Sequence, residues 1–450
     1  MAEPYNTPMP ASTPVPASTP RSSSPSPPLP SLTPNASMTT IQLRPPQQDP
    51  SNRRRPIVLH IGDPIRYNPT TYAELSQAFE VIRPSTTERE RSEFKKALQE
   101  RRWGNFSAIF RPFWGTGGEM GRWDAELIDL LPTSVKVFAS AGAGFDWADT
   151  KLLGETGIIY CNSGLAAAEA VADFAVAMVI STFRHLPWCM GAATLPYFLP
   201  ASSSPDATTE SAASIAGKTF QTCHLLAPAV SHNPRNHVLG LVGLGNIGQQ
   251  IAAKLGPAFG MRIAYYDVVR KPAPLESSLG VTYHSSLGSL LAVSDCVVLC
   301  TPSLTDGKPL ITTDVLRHIK KGSRFVNVAR GNLVDEEALA DALEDGRISA
   351  AALDVHTEEP RVSPRLLKMA FGERDLYERS PQASERPNFD HPGRVMLTCH
   401  NAGGTVETHV GFEELSMRNI MAVLGGQEAI TPVNMQYLKT TECEKDISVY

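Results

Sequence analysis

Short runs of almost uniformly apolar residues punctuate the chain from position 57 onward. They are Ile57–Ile61, Ala108–Phe110, Val135–Ala139, His237–Val242, Arg262–Tyr266, Asp295–Cys300, Arg324–Val328, Ala350–Val355 and Val395–Cys399. A strand with one wet face alternates apolar and polar positions, whereas a strand covered on both faces by crossover helices reads as an unbroken apolar run. Stretches of helical periodicity, such as Thr70–Phe79, lie between these runs. The pattern predicts an α/β protein with doubly wound parallel sheets. The runs up to Cys161 predict a small α/β unit of their own, and those from His237 onward a larger one.

Between the two units, Ala166–Phe183 is apolar nearly all round, interrupted by the charged Glu169 and Asp173. An uninterrupted membrane span needs about 18 to 20 apolar residues. The segment therefore reads as a helix buried in a large core or at a subunit interface. Residues 1–55 are dominated by Pro, Ser and Thr and lack the apolar residues that would offset the entropy of ordering, so they read as a disordered tail. Prolines and sparse arginines argue against a transit peptide there. Residues 192–230, rich in Ser, Pro and Ala, read as an inserted loop, and residues 371–393, charged and proline-bearing, as a second insertion.

Composition narrows the partners. A formal net charge of -5 gives no electrostatic reason for nucleic acid, and the compact basic run Arg53-Arg54-Arg55 sits at a linker boundary, where it reads as a solvated joint. Seven cysteines without a C-x-x-C pair supply neither a disulfide framework nor a metal site, which suits a reducing, cytoplasmic compartment. Cys296 and Cys300 bracket an apolar run and read as buried thiols.

The chemistry begins at Gly243-Leu244-Gly245-Asn246-Ile247-Gly248, which follows one apolar run and opens a helix near Gln249. A G-x-G-x-x-G match is weak alone but gains force from a strand before it, a helix after it and an acid at the end of the next strand, here Asp267. Gly243 permits the tight turn, Gly245 lets the main chain approach a pyrophosphate, and Gly248 lets the helix pack closely. Asn246 and Ile247 offer N–H groups at the positive end of that helix. Asp267 suits a ribose hydroxyl and favours NAD, although Arg270 and Lys271 close behind could soften the rejection of NADP.

Three further residues follow in order, each near the end of an apolar run: Arg330, Glu359 before Pro360, and His400. A guanidinium is permanently charged and can hold a carboxylate bidentately. An imidazole can donate or accept a proton near neutrality, and a carboxylate beside it favours the protonated form. Reduction of a 2-oxo acid by hydride needs this set.

The glycine loop, Asn327-Val328-Ala329-Arg330-Gly331, Leu353-Asp354-Val355-His356-Thr357-Glu358-Glu359-Pro360 and Leu397-Thr398-Cys399-His400-Asn401-Ala402-Gly403-Gly404 together resemble the D-isomer-specific 2-hydroxyacid dehydrogenase family over about residues 57–434. The resemblance implies two Rossmann-like domains, with a doubly wound NAD-binding domain inserted in a smaller flavodoxin-like substrate domain. The boundaries expected are a tail at 1–55, substrate domain at 56–162, NAD-binding domain at 163–401, closing segment of the substrate domain at 402–436, and a tail at 437–450. It makes Arg330, Glu359 and His400 the catalytic set, with Glu358 facing solvent. It places Asp354 at the nicotinamide amide, Thr301, Pro302 and Ala329 beside the cofactor, and the substrate carboxylate on the main chain of Ala143 and Gly144.

Within the family, Ala139-Ser140-Ala141-Gly142-Ala143-Gly144-Phe145-Asp146-Trp147 and the His400 run are most similar to fungal enzymes related to D-mandelate dehydrogenase. That implies a bulky 2-oxo acid, with Arg111-Pro112-Phe113-Trp114 as a candidate aromatic wall. Glyoxylate or hydroxypyruvate reduction uses the same triad and stays open. Formate oxidation is disfavoured by the carboxylate of Glu359. A nucleotide-sensing corepressor on the same fold is the alternative of another class. A homodimer without membrane, metal or nucleic-acid partners is expected.

Overall fold

The computed structural model describes residues 55–112, 120–198, 212–303, 307–371 and 393–438. The N-terminal tail, Phe113 and Trp114 of the candidate aromatic wall, almost all of the second insertion and the last 12 positions lie outside the described residues.

Strands β1 (Ile57–His60), β2 (Glu80–Ile82), β3 (Ala108–Arg111), β4 (Val137–Ser140) and β5 (Ile159–Cys161) form a parallel sheet in the order β2-β1-β3-β4-β5. This is the flavodoxin-like order. Strands β6 (Val238–Val242), β7 (Arg262–Tyr266), β8 (Val281–Tyr283), β9 (Cys296–Leu299), β10 (Ser323–Asn327), β11 (Ile348–Leu353) and β12 (Val395–Leu397) form a second parallel sheet, ordered β12-β11-β10-β9-β6-β7-β8. Strand order reverses beside β6, the switch point at which open α/β sheets place their ligands.

Around the first sheet run α1 (Pro69–Ala78), α2 (Arg91–Gln99), α3 (Ala125–Ile128) and α4 (Thr150–Glu155). Then come α5 (Gly164–Arg184), α6 (Leu186–Phe198), α7 (Ala212–Val230), α8 (Asn246–Leu255), α9 (Ala273–Leu279), α10 (Leu287–Val293), α11 (Thr313–Leu316), α12 (Glu336–Glu344), α13 (Pro364–Phe371) and α14 (Val406–Leu424). Strand residues alternate between two apolar layers on the second sheet. Leu239, Leu241, Val298 and Val326 join α5 and α8 on one face, whereas Val297, Leu299, Phe325 and Leu353 join α12 and α13 on the other. Both faces are covered, which is why these strands carry no polar alternation. The first sheet has its own core around Phe94, Trp123, Phe138 and Tyr160.

The apolar segment after Cys161 is α5, the one helix among the described residues long and apolar enough to cross a membrane. It packs against α8, α14, β10 and β11, and buries Val171, Ala175, Met178 and Phe183. The chain then returns to the first sheet through α14, which packs on β3, β4 and α1. Glu413 on α14 is buried and accepts hydrogen bonds from the main-chain N–H groups of Arg66 (2.7 Å), Tyr67 (2.9 Å) and Asn68 (3.0 Å), just ahead of α1.

The fold departs from the sequence pattern at two places. The segment 192–230 is not simply a loop. Leu186–Phe198 and Ala212–Val230 are helices packed on each other, with Trp188, Ala192 and Cys223 as their small core. Alanine, the strongest helix former, outweighs the scattered turn residues there. Arg55 is also more than a solvated joint, since its guanidinium donates to the carbonyls of Ser76 (2.9 Å) and Gln77 (3.1 Å) at the C-terminal end of α1.

Candidate active site

The glycine loop lies at the end of β6. Gly243 has φ +99°, and a Cβ there would stand 2.9 Å from the Cys300 carbonyl oxygen. A Cβ at Gly248 would stand 2.4 Å from the Gly243 carbonyl oxygen, so only glycine lets α8 approach the turn this closely. Gly245, at the start of α8, differs: a Cβ there would meet nothing within 4 Å. The middle glycine thus opens a cradle in front of the helix N-terminus, as a pyrophosphate requires.

Asp267 follows β7 and accepts from Leu244 N at 2.9 Å and from Lys271 Nζ at 3.0 Å. Arg270 is engaged elsewhere. It donates to Glu276 through Nε (2.9 Å) and Nη2 (2.8 Å) and lies 5.3 Å from the Tyr283 ring centre. Hydrogen bonds from Arg270, and then from Tyr265, hold the Glu276 carboxyl down at about 2. Thr301 sits beside the loop, its Cβ 3.3 Å from where a Gly243 Cβ would stand.

His400 ends the turn after β12 with φ +54°, a left-handed conformation that costs a residue with a Cβ and persists only where its surroundings hold it. Asp354, almost fully buried, does the holding. Its main-chain oxygen accepts from His400 N at 2.7 Å. Its carboxylate accepts from Thr398 Oγ1 (2.7 Å), Asn401 N (2.9 Å) and Ala402 N (2.8 Å). His400 Nδ1 then donates to Glu359 Oε2 at 2.8 Å, while Glu359 Oε1 accepts from His356 N at 2.9 Å. Burial pushes the Glu359 carboxyl upward, but the hydrogen bonds from His400 and His356 outweigh it and leave the group below its usual 4.5. Glu358 is exposed and pairs with Arg361.

Arg330 follows β10. Asn327 shapes this turn, donating to the Arg330 carbonyl (2.9 Å) and accepting from Ala329 N (3.0 Å). A Cβ on the next residue, Gly331, would stand 2.0 Å from the His356 carbonyl, and this close approach brings the Arg330 and Glu359 segments together. From the first sheet, the loop after β4 reaches the same place. Its carbonyls at Ala143 and Gly144 are tied back by Asn162 Nδ2 (2.8 Å) and Trp147 Nε1 (3.3 Å). Ala143, Gly144, Asp146, Arg330, Asp354, Glu359 and His400 all line one cleft of 1130 Å³, and Ile247 at the first turn of α8 lines it too.

A family model described as "D-isomer specific 2-hydroxyacid dehydrogenase, NAD binding domain" matches residues 224–402. A glyoxylate reductase from Thermofilum pendens is 30% identical over 336 residues, 72% of this chain and 81% of that protein. The chain belongs to the D-isomer specific 2-hydroxyacid dehydrogenases. The 4-methyl-2-oxopentanoate reductase A of Aspergillus oryzae is 29% identical, covering 85% of this chain and 98% of that one. The crystal structure of apo D-mandelate dehydrogenase from Rhodotorula graminis superposes with a TM-score of 0.71 at 37% identity, over 84% of this chain and 97% of that one. This dehydrogenase is thus an NAD(P)-dependent oxidoreductase of the CH–OH group, with the family's two Rossmann-like sheets.

Other residues of the dehydrogenase reach the cleft in roles that the sequence motifs containing them do not show. Arg111, at the end of β3, lies 4.0 Å over the Trp147 ring, and both line the cleft. His356 acts through its backbone amide, and its ring Nε2 is 2.8 Å from the Thr398 carbonyl. Asp146 contacts Arg330 from the opposite sheet, 184 positions away in sequence. A motif shows which residues recur together, but such contacts depend on how two sheets face each other.

Proposed function

We propose that this dehydrogenase reduces 2-oxo acids with bulky or aromatic side chains to D-2-hydroxy acids, using NADH in preference to NADPH. The observation that carries the reading is the His400–Glu359 hydrogen bond of 2.8 Å in the cleft that Arg330 also lines. The bound cofactor supplies a hydride to the carbonyl carbon. His400 protonates the carbonyl oxygen from Nε2, the ring nitrogen that Glu359 does not engage. Glu359 stays anionic and compensates the imidazolium. Arg330 holds the substrate carboxylate and polarises the carbonyl, with the main-chain N–H groups of Ala143 and Gly144 as further donors.

Around the cofactor, Gly243, Gly245 and Gly248 shape the cradle, and Asn246 and Ile247 offer N–H groups to the pyrophosphate. Asp267 takes the ribose, and Thr301, Pro302 and Ala329 border the cofactor. Asp354 serves the site by holding the His400 turn. Engagement of Arg270 by Glu276 removes one cation that a 2'-phosphate would use, which supports NADH.

Bulky substrates are supported by the size of the cleft, by Trp147, Val171, Val328 and Phe412 in its lining, and by the mandelate and 4-methyl-2-oxopentanoate relatives. The second reading, a glyoxylate or hydroxypyruvate reductase, has the Thermofilum relative in its favour. Purified protein assayed with benzoylformate, 4-methyl-2-oxopentanoate, glyoxylate and hydroxypyruvate, each with either cofactor, separates them. The proposal expects kcat/KM with NADH at least about tenfold higher for the first two, the order of one or two methylenes in an apolar pocket. Preference for glyoxylate overturns it. We further read the enzyme as a cytoplasmic homodimer, with the exposed Met190, Phe220 and Leu225 of the α6–α7 hairpin in support, and light scattering in solution as the test.

A further inference from the structure

Arg330 is held on three sides, and each constraint acts on a different part of its guanidinium. Nη1 donates to the neighbouring Ala329 carbonyl at 2.6 Å. Nη2 occupies the space in front of Gly144 that a Cβ would need. Nε donates to Asp146 Oδ1 at 3.2 Å. Asp146 belongs to the loop after β4 in the first sheet, whereas Arg330 follows β10 in the second, so this bond bridges the two sheets at the cleft.

We propose that Asp146 is the positioning residue of Arg330. A guanidinium carries five N–H donors in one plane. The Asp146 contact uses the single Nε–H and the Ala329 contact one hydrogen of Nη1. The three that remain, on Nη1 and Nη2, form the two-pronged edge that binds a carboxylate and an adjacent carbonyl. A carboxylate at Nε leaves that edge clear and stops the plane from rotating about its last torsion. The pair is half exposed and therefore contributes little to stability, so its effect falls on the geometry of the site. Because the acceptor rides on the opposite sheet, Arg330 takes its working orientation only while the β4 loop is seated against it.

This inference rests on the role proposed above for Arg330, and the test separates the two. Steady-state kinetics with 4-methyl-2-oxopentanoate and NADH are measured for wild type, Asp146→Ala, Asp146→Asn and Arg330→Ala. NADH affinity and thermal midpoint are measured alongside. Asp146→Ala is expected to lower kcat/KM by roughly ten- to a hundredfold, the scale of an ångström-sized misplacement, mostly through a higher KM. NADH affinity and thermal midpoint stay at the wild-type values. Asp146→Asn keeps an oxygen facing Nε and recovers most of the loss. Wild-type kinetics in Asp146→Ala beside an inactive Arg330→Ala overturn this inference alone. A lowered KM in Asp146→Ala would make Asp146 a competitor for the guanidinium and also overturns it, as does an Asp146→Asn variant no better than the alanine. An active Arg330→Ala overturns the arginine's role and this inference together.

Discussion

Replacing Gly144 by alanine adds one methyl group where the loop after β4 meets Arg330. The new Cβ would stand 1.4 Å from Arg330 Nη2, 2.7 Å from its Cζ and 3.1 Å from Asp146 Oδ1. Going from 1.4 Å to an ordinary contact of 3.4 Å moves the guanidinium by about 2 Å. A misplacement of about 1 Å in a positioning group costs about a hundredfold in rate, so at least that loss is expected, equivalent to about 2.7 kcal/mol of transition-state stabilisation. The loop is half exposed and Arg330 is a flexible side chain, so the fold absorbs the methyl by moving the arginine. Loss of NADH absorbance gives kcat/KM, and fluorescence titration gives NADH affinity. The expected result is a hundredfold lower kcat/KM with an unchanged thermal midpoint and NADH affinity. Wild-type kcat/KM would refute the placement of Arg330 over Gly144.

Gly248→Ala places a Cβ 2.4 Å from a main-chain oxygen, so α8 must shift, and NADH affinity measured by calorimetry is expected to fall at least about tenfold; an unchanged affinity counts against the cradle. Glu413→Ala strips the acceptor from three main-chain N–H groups ahead of α1, and denaturant unfolding is expected to show a loss of about 3 kcal/mol, with less than about 0.5 kcal/mol refuting it. Glu359 is held below its usual 4.5, so its stabilising contribution is present above that value and is lost as pH falls through the lower folded-state value. Wild type is therefore expected to unfold at higher denaturant than Glu359→Gln at pH 6, with the gap closing in acid; a gap independent of pH refutes the pairing. His400→Ala is expected to lower turnover by about a hundredfold or more with NADH affinity intact, and retained turnover removes it as proton donor.

Much of this was legible in the sequence because it depends on local necessity. Strands such as β9 and β10 are buried on both faces and show as apolar runs, and the glycine loop is recognisable because each glycine meets a separate steric demand. Arg330, Glu359 and His400 were legible because each sits in a distinctive run near a strand end. The rest depends on relations that chain order does not carry. Strands β2, β5 and β8 have three residues each, too few for a periodic pattern, and exist because a neighbour pairs with them. Along α6 and α7 the sequence scatters polar residues, Pro and Gly among Ala and larger apolar residues, so no clean amphipathic stripe marks them as helical. Asp146 stood in a motif without a role until the facing sheet supplied Arg330. The resemblance places Asp354 beside the nicotinamide, and only the folded turn reveals that Thr398, Asn401 and Ala402 donate to its carboxylate.

The return of the chain through α14 has a consequence for biosynthesis. Glu413 supplies the acceptor for Arg66, Tyr67 and Asn68, and Asn434 bonds Tyr160 N at 2.8 Å and the carbonyls of Thr150 and Ile158 at 2.9 and 3.0 Å. The amino-terminal sheet is therefore translated first and completed last. Its donors wait for acceptors made more than 270 residues later, after every strand of the second sheet has been synthesised. Nascent chains from which residues up to 405 have emerged should carry all seven strands of the second sheet beside a loose first lobe, reversing the usual amino-to-carboxyl order of assembly.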